Sequence, residues 1–139
     1  MMKHYSLTIP ITPESKQRPK FTRFGKAYTP KKTRDYEKKI SDYFSSHLNV
    51  GTFNKDVPIV VNLIFGMPIP KSTSKKRVKV MLEGAIKPTK KPDIDNMQKA
   101  VLDALNGLAW DDDSQIVKVT AEKEYAVNPY VHLYVHEAI

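Results

Sequence analysis

The 139-residue sequence contains no cysteine. Disulfides and thiolate zinc sites are therefore excluded, and the absence suits a reducing cytoplasm. No stretch approaches the roughly 18 consecutive apolar residues of a membrane span. The N-terminal "MMKHYSLTIP" lacks the apolar run of a signal peptide. No P-loop, GxSxG or HExxH pattern is present. A calcium loop of the EF-hand type starting at Asp93 would need glycine at its sixth position and glutamate at its twelfth; Gln98 and Ala104 stand there. Acids are also in deficit, fifteen against twenty-three Lys and Arg, for a formal net charge of +8. A pI near 9.6 favours an anionic partner, nucleic acid first and an anionic membrane second; simple solubility is the plainer account of such a balance.

What remains is ample for one hydrophobic core: 40% of the residues are apolar, and the length suits a single domain over 1–139. Residues 5–11 alternate as a half-buried strand. Residues 14–30, "ESKQRPKFTRFGKAYTP", read as an irregular loop or short hairpin turning at Gly25. Thr29 and Pro30 offer an N-cap and a first-turn proline for a helix over 31–48, where Tyr36, Ile40, Tyr43, Phe44 and Leu48 recur at helical spacing; Gly51 follows its end. Residues 59–65 form a β-branched strand broken by Pro68 and Pro70. A short helix is expected over 74–82, ended by Gly84, then an extended stretch over 86–92. The stripe of Met97, Ala100, Val101, Ala104, Leu105 and Leu108 predicts a helix over about 96–106, capped by Asp95 with Gln98 completing a capping box and closed by Gly107. Residues 116–125 and the stretch around Val131, Leu133 and Val135 are the last strands. The pattern predicts a small α/β or α+β domain with a mixed sheet of about four strands and two to three helices.

Charge is segregated along the chain. Residues 14–39 hold ten Lys and Arg against three acids, and residues 71–91 hold eight against one. Phe21, Phe24 and Tyr28 lie among the first group, a mixture suited to phosphate contacts and to stacking on exposed bases. Arg18, Lys20, Arg23, Lys75, Lys76 and Arg77 are the candidate contacts to a nucleic-acid backbone. For Lys31, Lys32, Lys38 and Lys39 a solvated helix face serves equally well.

Asp93, Asp95, Asp111, Asp112 and Asp113 bracket the helix expected over 96–106. Each has a plain structural reading: Asp95 as an N-cap worth ~1 kcal/mol, Asp93 as a turn residue after proline, "WDDDS" as a polar turn. Taken together, like charge at both ends of one short helix calls for a counter-ion. Two carboxylates at 4 Å repel by about 4 kcal/mol at an effective dielectric of 20. Convergence of Asp93, Asp95 and Asp113 would thus take up a proton or bind a cation. Oxygen-only ligands favour a hard ion, Mg²⁺ or Mn²⁺. Such an ion beside a basic surface suits phosphodiester hydrolysis. Lys99 reads either as an ion-pair partner of Asp103 at i+4 or as a cation near the scissile phosphate.

"KPDIDNMQKAVLDALNG" followed by "WDDDSQIVKVTAEKEY" closely resembles the RusA-like family of Holliday junction resolvases, and the upstream "KQRPKFTRFGKAYTP" resembles that family's N-terminal loop. The specific likeness covers about 91–125, in PDxDN, a lysine in the following helix, and W-x-DD-x-Q. The resemblance implies a homodimeric, Mg²⁺-dependent endodeoxyribonuclease that nicks four-way DNA junctions symmetrically, with no small-molecule cofactor. By position it implies catalytic roles for Asp93, Asp95, Asp113 and Lys99, with Asp112 beside the three aspartates as a further metal ligand. Residues 68–91 form a longer connection than in the shortest family members. Two other readings compete with a junction-cutting enzyme: a non-catalytic basic DNA-binding module whose acidic cluster is structural, and a nuclease directed at RNA.

Overall fold

The structure is a computed structural model and describes residues 3–48 and 53–138. Gly51, expected past the end of the first helix, lies outside them. The chain order is β1 (His4–Ile9), β2 (Lys20–Phe21), β3 (Ala27–Tyr28), α1 (Lys31–His47), β4 (Ile59–Pro68), α2 (Lys75–Leu82), α3 (Ile94–Leu105), β5 (Ile116–Ala126) and β6 (Tyr130–Glu137). A single 3-10 turn, Asp113–Gln115, precedes β5. The fold is α+β, as the sequence predicts.

Four strands make one mixed sheet in the order β1-β6-β4-β5. β6 runs antiparallel to both β1 and β4, and β4 runs parallel to β5. A parallel pair needs a long crossover, and the crossover here carries α2 and α3. Alternation then sorts the side chains. Tyr5 and Ile9 of β1, Val131, Leu133 and Val135 of β6, and Ile59, Val61, Leu63, Phe65 and Met67 of β4 are buried together. They meet Tyr36, Ile40 and Phe44 of α1 and Met97, Ala100, Val101 and Leu105 of α3. Helical i, i+4 spacing puts each of these sets on one face. Each buried side chain of this size contributes about 1.5–3 kcal/mol. α1 and α3 also pack on each other, α1 against β1 and α3 against β5.

β5 and β6 are consecutive yet do not pair, because β4 lies between them. Residues 127–129 carry the chain past the end of β4, and Tyr130 comes down opposite Gly66. A Cβ on Gly66 would stand 2.4 Å from the Tyr130 ring, so only glycine leaves room.

Local chemistry departs from expectation at the helix starts. Pro30, not Thr29, holds the N-cap position of α1. α3 begins two residues earlier than expected, with Asp93 at the N-cap and Asp95 in the first turn. Asp95 is therefore no cap; among the described residues its Oδ1 accepts only from the amide of its neighbour Asn96, at 3.0 Å. β4 runs on through Pro68 as its last residue, a position a proline tolerates because it donates no ladder bond. The stretch 86–92 is irregular and bent rather than extended. Ser74 caps α2 by accepting from the Arg77 amide at 3.2 Å. Gly25, Gly84 and Gly107 all take the positive φ that closes a turn.

Candidate active site

α3 presents its polar face away from the core. Asp95, Lys99 and Asp103 follow one another at i, i+4 and i+8, on the side opposite Met97 and Val101. Among the described residues the Asp93 side chain accepts no hydrogen bond at the N-cap position. The two acids therefore stand exposed where the helix dipole favours negative charge.

The Lys99–Asp103 ion pair, one of the two readings of Lys99, is not made among the described residues. Asp103 instead meets Lys16 at 2.8 Å, and the same ammonium holds Glu37 of α1 at 2.8 Å. Lys16 also donates its amide to the Asn96 carbonyl at 3.1 Å, and the next amide, of Gln17, donates to the buried Thr33 hydroxyl at 3.1 Å. The basic loop is thus pinned at its base between α1 and α3. Lys99 forms no ion pair among the described residues and faces a cleft of about 320 Å³ lined by Lys16, Gln17, Arg18, Asn96 and Asp103 among others. Two cations, Lys99 and Arg18, remain there for an anion.

Beyond that base the loop becomes a two-stranded hairpin. Phe21, Phe24 and Tyr28 are exposed on it, Phe24 to 85%, and the Arg23 guanidinium lies over the Phe24 ring at 5.1 Å. Lys20 and Arg23 are exposed on the same hairpin, whereas Lys75, Lys76 and Arg77 stand exposed in the first turn of α2.

The second acidic group sits at the other end of α3. Gly107 ends the helix, and the turn is held from below by the Tyr5 hydroxyl, which donates to the Ala109 carbonyl at 3.1 Å. Trp110 is fully buried, and its indole Nε1 donates to Asp113 Oδ1 at 2.6 Å. The Asp113 amide donates to Asn106 Oδ1 at 3.1 Å. Desolvation raises the Asp113 carboxyl above its ordinary range. The Trp110 bond opposes this, the fields of Asp103 and Asp112 add to it, and Lys99 counters them. Asp112 caps the 3-10 turn through the Ser114 hydroxyl and amide, and these bonds hold its carboxyl below the ordinary range.

The structure therefore brings Asp113 towards Asp103 and Lys99. Asp93 and Asp95 stand at the opposite helix end, about 16–20 Å along the axis from Asn106 at 1.5 Å per residue. Among the described residues, no three Asp, Glu or His side chains stand close enough to hold a metal ion within the single chain. The donors themselves, four carboxylates and no sulfur, suit a hard divalent cation.

Comparison with known proteins decides the family. The family described as Endodeoxyribonuclease RusA matches residues 10–136. The chain belongs to the RusA endodeoxyribonuclease family. It is therefore a nuclease that cuts DNA internally, of the Holliday junction resolvase class. The match takes in the basic loop, the whole of α3 and the Trp110–Gln115 turn. A relative in Bacillus subtilis (strain 168), described as the uncharacterized protein YqaN, is 34% identical over 133 residues, covering 94% of each chain. RusA-family nucleases depend in general on a divalent metal, and branched DNA is the partner the family implies. Among the described residues no helix is long and apolar enough to cross a membrane.

Several residues at this site escaped the sequence reading. Lys16 and Glu37 enter through tertiary ion pairs, and Asn106 orients Asp113 from outside the acidic run; Trp110 was legible only in the W-x-DD-x-Q pattern, not as a donor to Asp113. Gln115 was legible only as part of the W-x-DD-x-Q pattern. Its bonds to Asp111 and Asp112 and to the carbonyls of Asn54 and Val57 explain why an amide is needed there.

Proposed function

We propose that this RusA-family nuclease is Mg²⁺-dependent and resolves four-way DNA junctions by paired, symmetric nicks, acting as a homodimer. The observation that carries the reading is the exposed face of α3: among the described residues Asp93 accepts no capping hydrogen bond and Lys99 makes no ion pair, Asp95 lies one turn from Lys99, and the Arg18-lined cleft runs alongside. Asp93 and Asp95 would hold the divalent ion, joined by Asp113 and Asp112 in the assembled enzyme. When bound, the ion activates water and neutralises phosphate charge; Mn²⁺ offers the same oxygen-ligand chemistry. Lys99 stabilises charge on the phosphate oxygens, with the Trp110 bond keeping the Asp113 carboxylate in one orientation. Arg18, Lys20, Arg23, Lys75, Lys76 and Arg77 neutralise the DNA backbone. One site cuts one strand, so a two-fold dimer matches a two-fold junction.

The test is cleavage of an end-labelled synthetic junction against linear duplex, with Mg²⁺, Ca²⁺ or chelator. Cutting is expected with Mg²⁺ alone, and binding without cutting with Ca²⁺. Asp95→Asn should bind junctions within a few-fold of the parent, keep its melting temperature, and lose at least about 100-fold in rate. On a plasmid-borne cruciform, paired nicking yields linear product, whereas unpaired nicking leaves open circles. Junction binding indifferent to Mg²⁺, with no nicked product, points instead to a non-catalytic module.

A further inference from the structure

β5 carries an anomaly on its core-facing side. Ala121 and Tyr125 pack against the core, and Lys123 shares their side of the strand, paired in register with the buried Phe65. An apolar residue would satisfy that position. A half-buried ammonium costs free energy unless its donors are used, and here they are used by no carboxylate. Lys123 Nζ donates to the Lys90 carbonyl at 2.7 Å and to the Pro92 carbonyl at 3.0 Å.

Those carbonyls belong to the segment that leads into the acid pair. Residues 86–92 have no helix or strand of their own. Among the described residues, the two bonds from Lys123 are the only hydrogen bonds that segment makes. Pro92 immediately precedes Asp93, whose carbonyl starts the helix by accepting from the Met97 amide at 3.1 Å. A shift of the Pro92 carbonyl thus moves the Asp93 backbone and, through the first turn of α3, Asp95.

We infer that Lys123 is a positioning residue: donated from β5 to the carbonyls of Lys90 and Pro92, its ammonium sets where Asp93 and Asp95 stand. The inference rests on the reading of those aspartates as the catalytic pair. It separates cleanly from a role in stability. If Lys123 served the fold alone, an apolar side chain of similar length would lower the melting temperature by leaving the two carbonyls without their donor, and cleavage would follow the folded fraction. As a positioning residue it acts on rate: groups that orient metal-binding carboxylates are worth 10- to 100-fold in activity.

The experiment compares the parent, Lys123→Met and Lys123→Arg for melting temperature, junction affinity in Ca²⁺, cleavage rate in Mg²⁺, and amide hydrogen exchange. Lys123→Met should melt at or above the parent, bind within about 3-fold, and cut 10- to 100-fold more slowly. Amides at 94–97 should exchange faster while those of β4 and β6 do not change. Lys123→Arg, which can still donate to both carbonyls, should recover most of the rate. Cleavage by Lys123→Met within twofold of the parent, or unchanged exchange at 94–97, overturns the inference. Should Lys123→Met fail to fold, Lys123→Leu, which likewise cannot donate, is judged by the same criteria. A parent that does not nick junctions at all overturns the functional reading instead, and the exchange rates at 94–97 then still decide the tether.

Discussion

Gln115 is only 5% exposed, and its amide is fully engaged: Oε1 accepts from the amides of Asp111 and Asp112, both at 2.9 Å, and Nε2 donates to the carbonyls of Asn54 and Val57 at 2.6 and 3.0 Å. One side chain thus ties the acidic turn to the strand entering β4. Replacing it by leucine leaves those backbone groups without partners, each costing about 1–3 kcal/mol when shielded from water. Gln115→Leu is expected to lose about 3 kcal/mol in urea denaturation, and cleavage should fall at temperatures where the variant is still folded, because Asp112 and Asp113 lose their frame. A variant as stable as the parent removes the amide from this account. Asp112 and Asp113 show the same local control in their charges: hydrogen bonds from Ser114 pull one carboxyl down, burial pushes its neighbour up.

Among the elements, α3 is the organising one, and Lys16 fastens it. Burial alone would lower the Lys16 ammonium, but hydrogen bonds and attraction from Asp103 and Glu37 outweigh it and leave its pKa raised. A lysine raised above its unfolded value contributes stability that is complete below that value, 10.5, and is lost as pH climbs through the folded one. Lys16→Met should therefore be less stable than the parent by about 1–3 kcal/mol near neutrality, with the gap between the two closing only above pH 10.5. A gap that closes already between pH 7 and 9 refutes the ion-pair assignment. The element-scale consequence is that Lys99 stays free of Asp103 because Lys16 has taken it.

Across the whole molecule, positive charge gathers on the hairpin of β2 and β3 and on α2, while Asp93, Asp95 and Asp111 to Asp113 stand at the two ends of α3. The hairpin has almost no packing of its own; its aromatic rings and its cations face solvent. If Lys20 and Arg23 neutralise phosphates, the double replacement Lys20→Ala and Arg23→Ala should weaken junction and duplex binding alike. It should also make the slope of log affinity against log salt shallower by about 2. Fluorescence anisotropy across a salt series reads both, and an unchanged slope takes the hairpin out of the interface.

The periodic segments were legible because a single physical requirement, burying one face, writes itself into spacing: Tyr36, Ile40 and Phe44 at i, i+4, i+8, and the alternation through β4, β5 and β6. The acidic motif and its family likeness were legible too, since residue type and local spacing carry both. The start of α3 was missed because Asp93 and Asp95 are equally good caps by composition, and backbone geometry chose between them. The Lys16–Asp103 pair was missed because i+4 spacing offered Asp103 a partner in Lys99 but did not reserve it; Lys16, eighty-odd residues upstream, arrives with Glu37 and wins. Lys123 in a strand gave no sign of holding carbonyls thirty residues behind it. By itself the sequence determined the elements, the excess of positive charge and the chemical nature of the donors. Only the tertiary structure decided which charges meet and that, among the described residues, the two acidic groups bracketing α3 do not fold together into one metal cage within a single chain. The reason is that an ion pair or a hydrogen bond is chosen by distance in space, and a rigid helix keeps its two ends a fixed length apart.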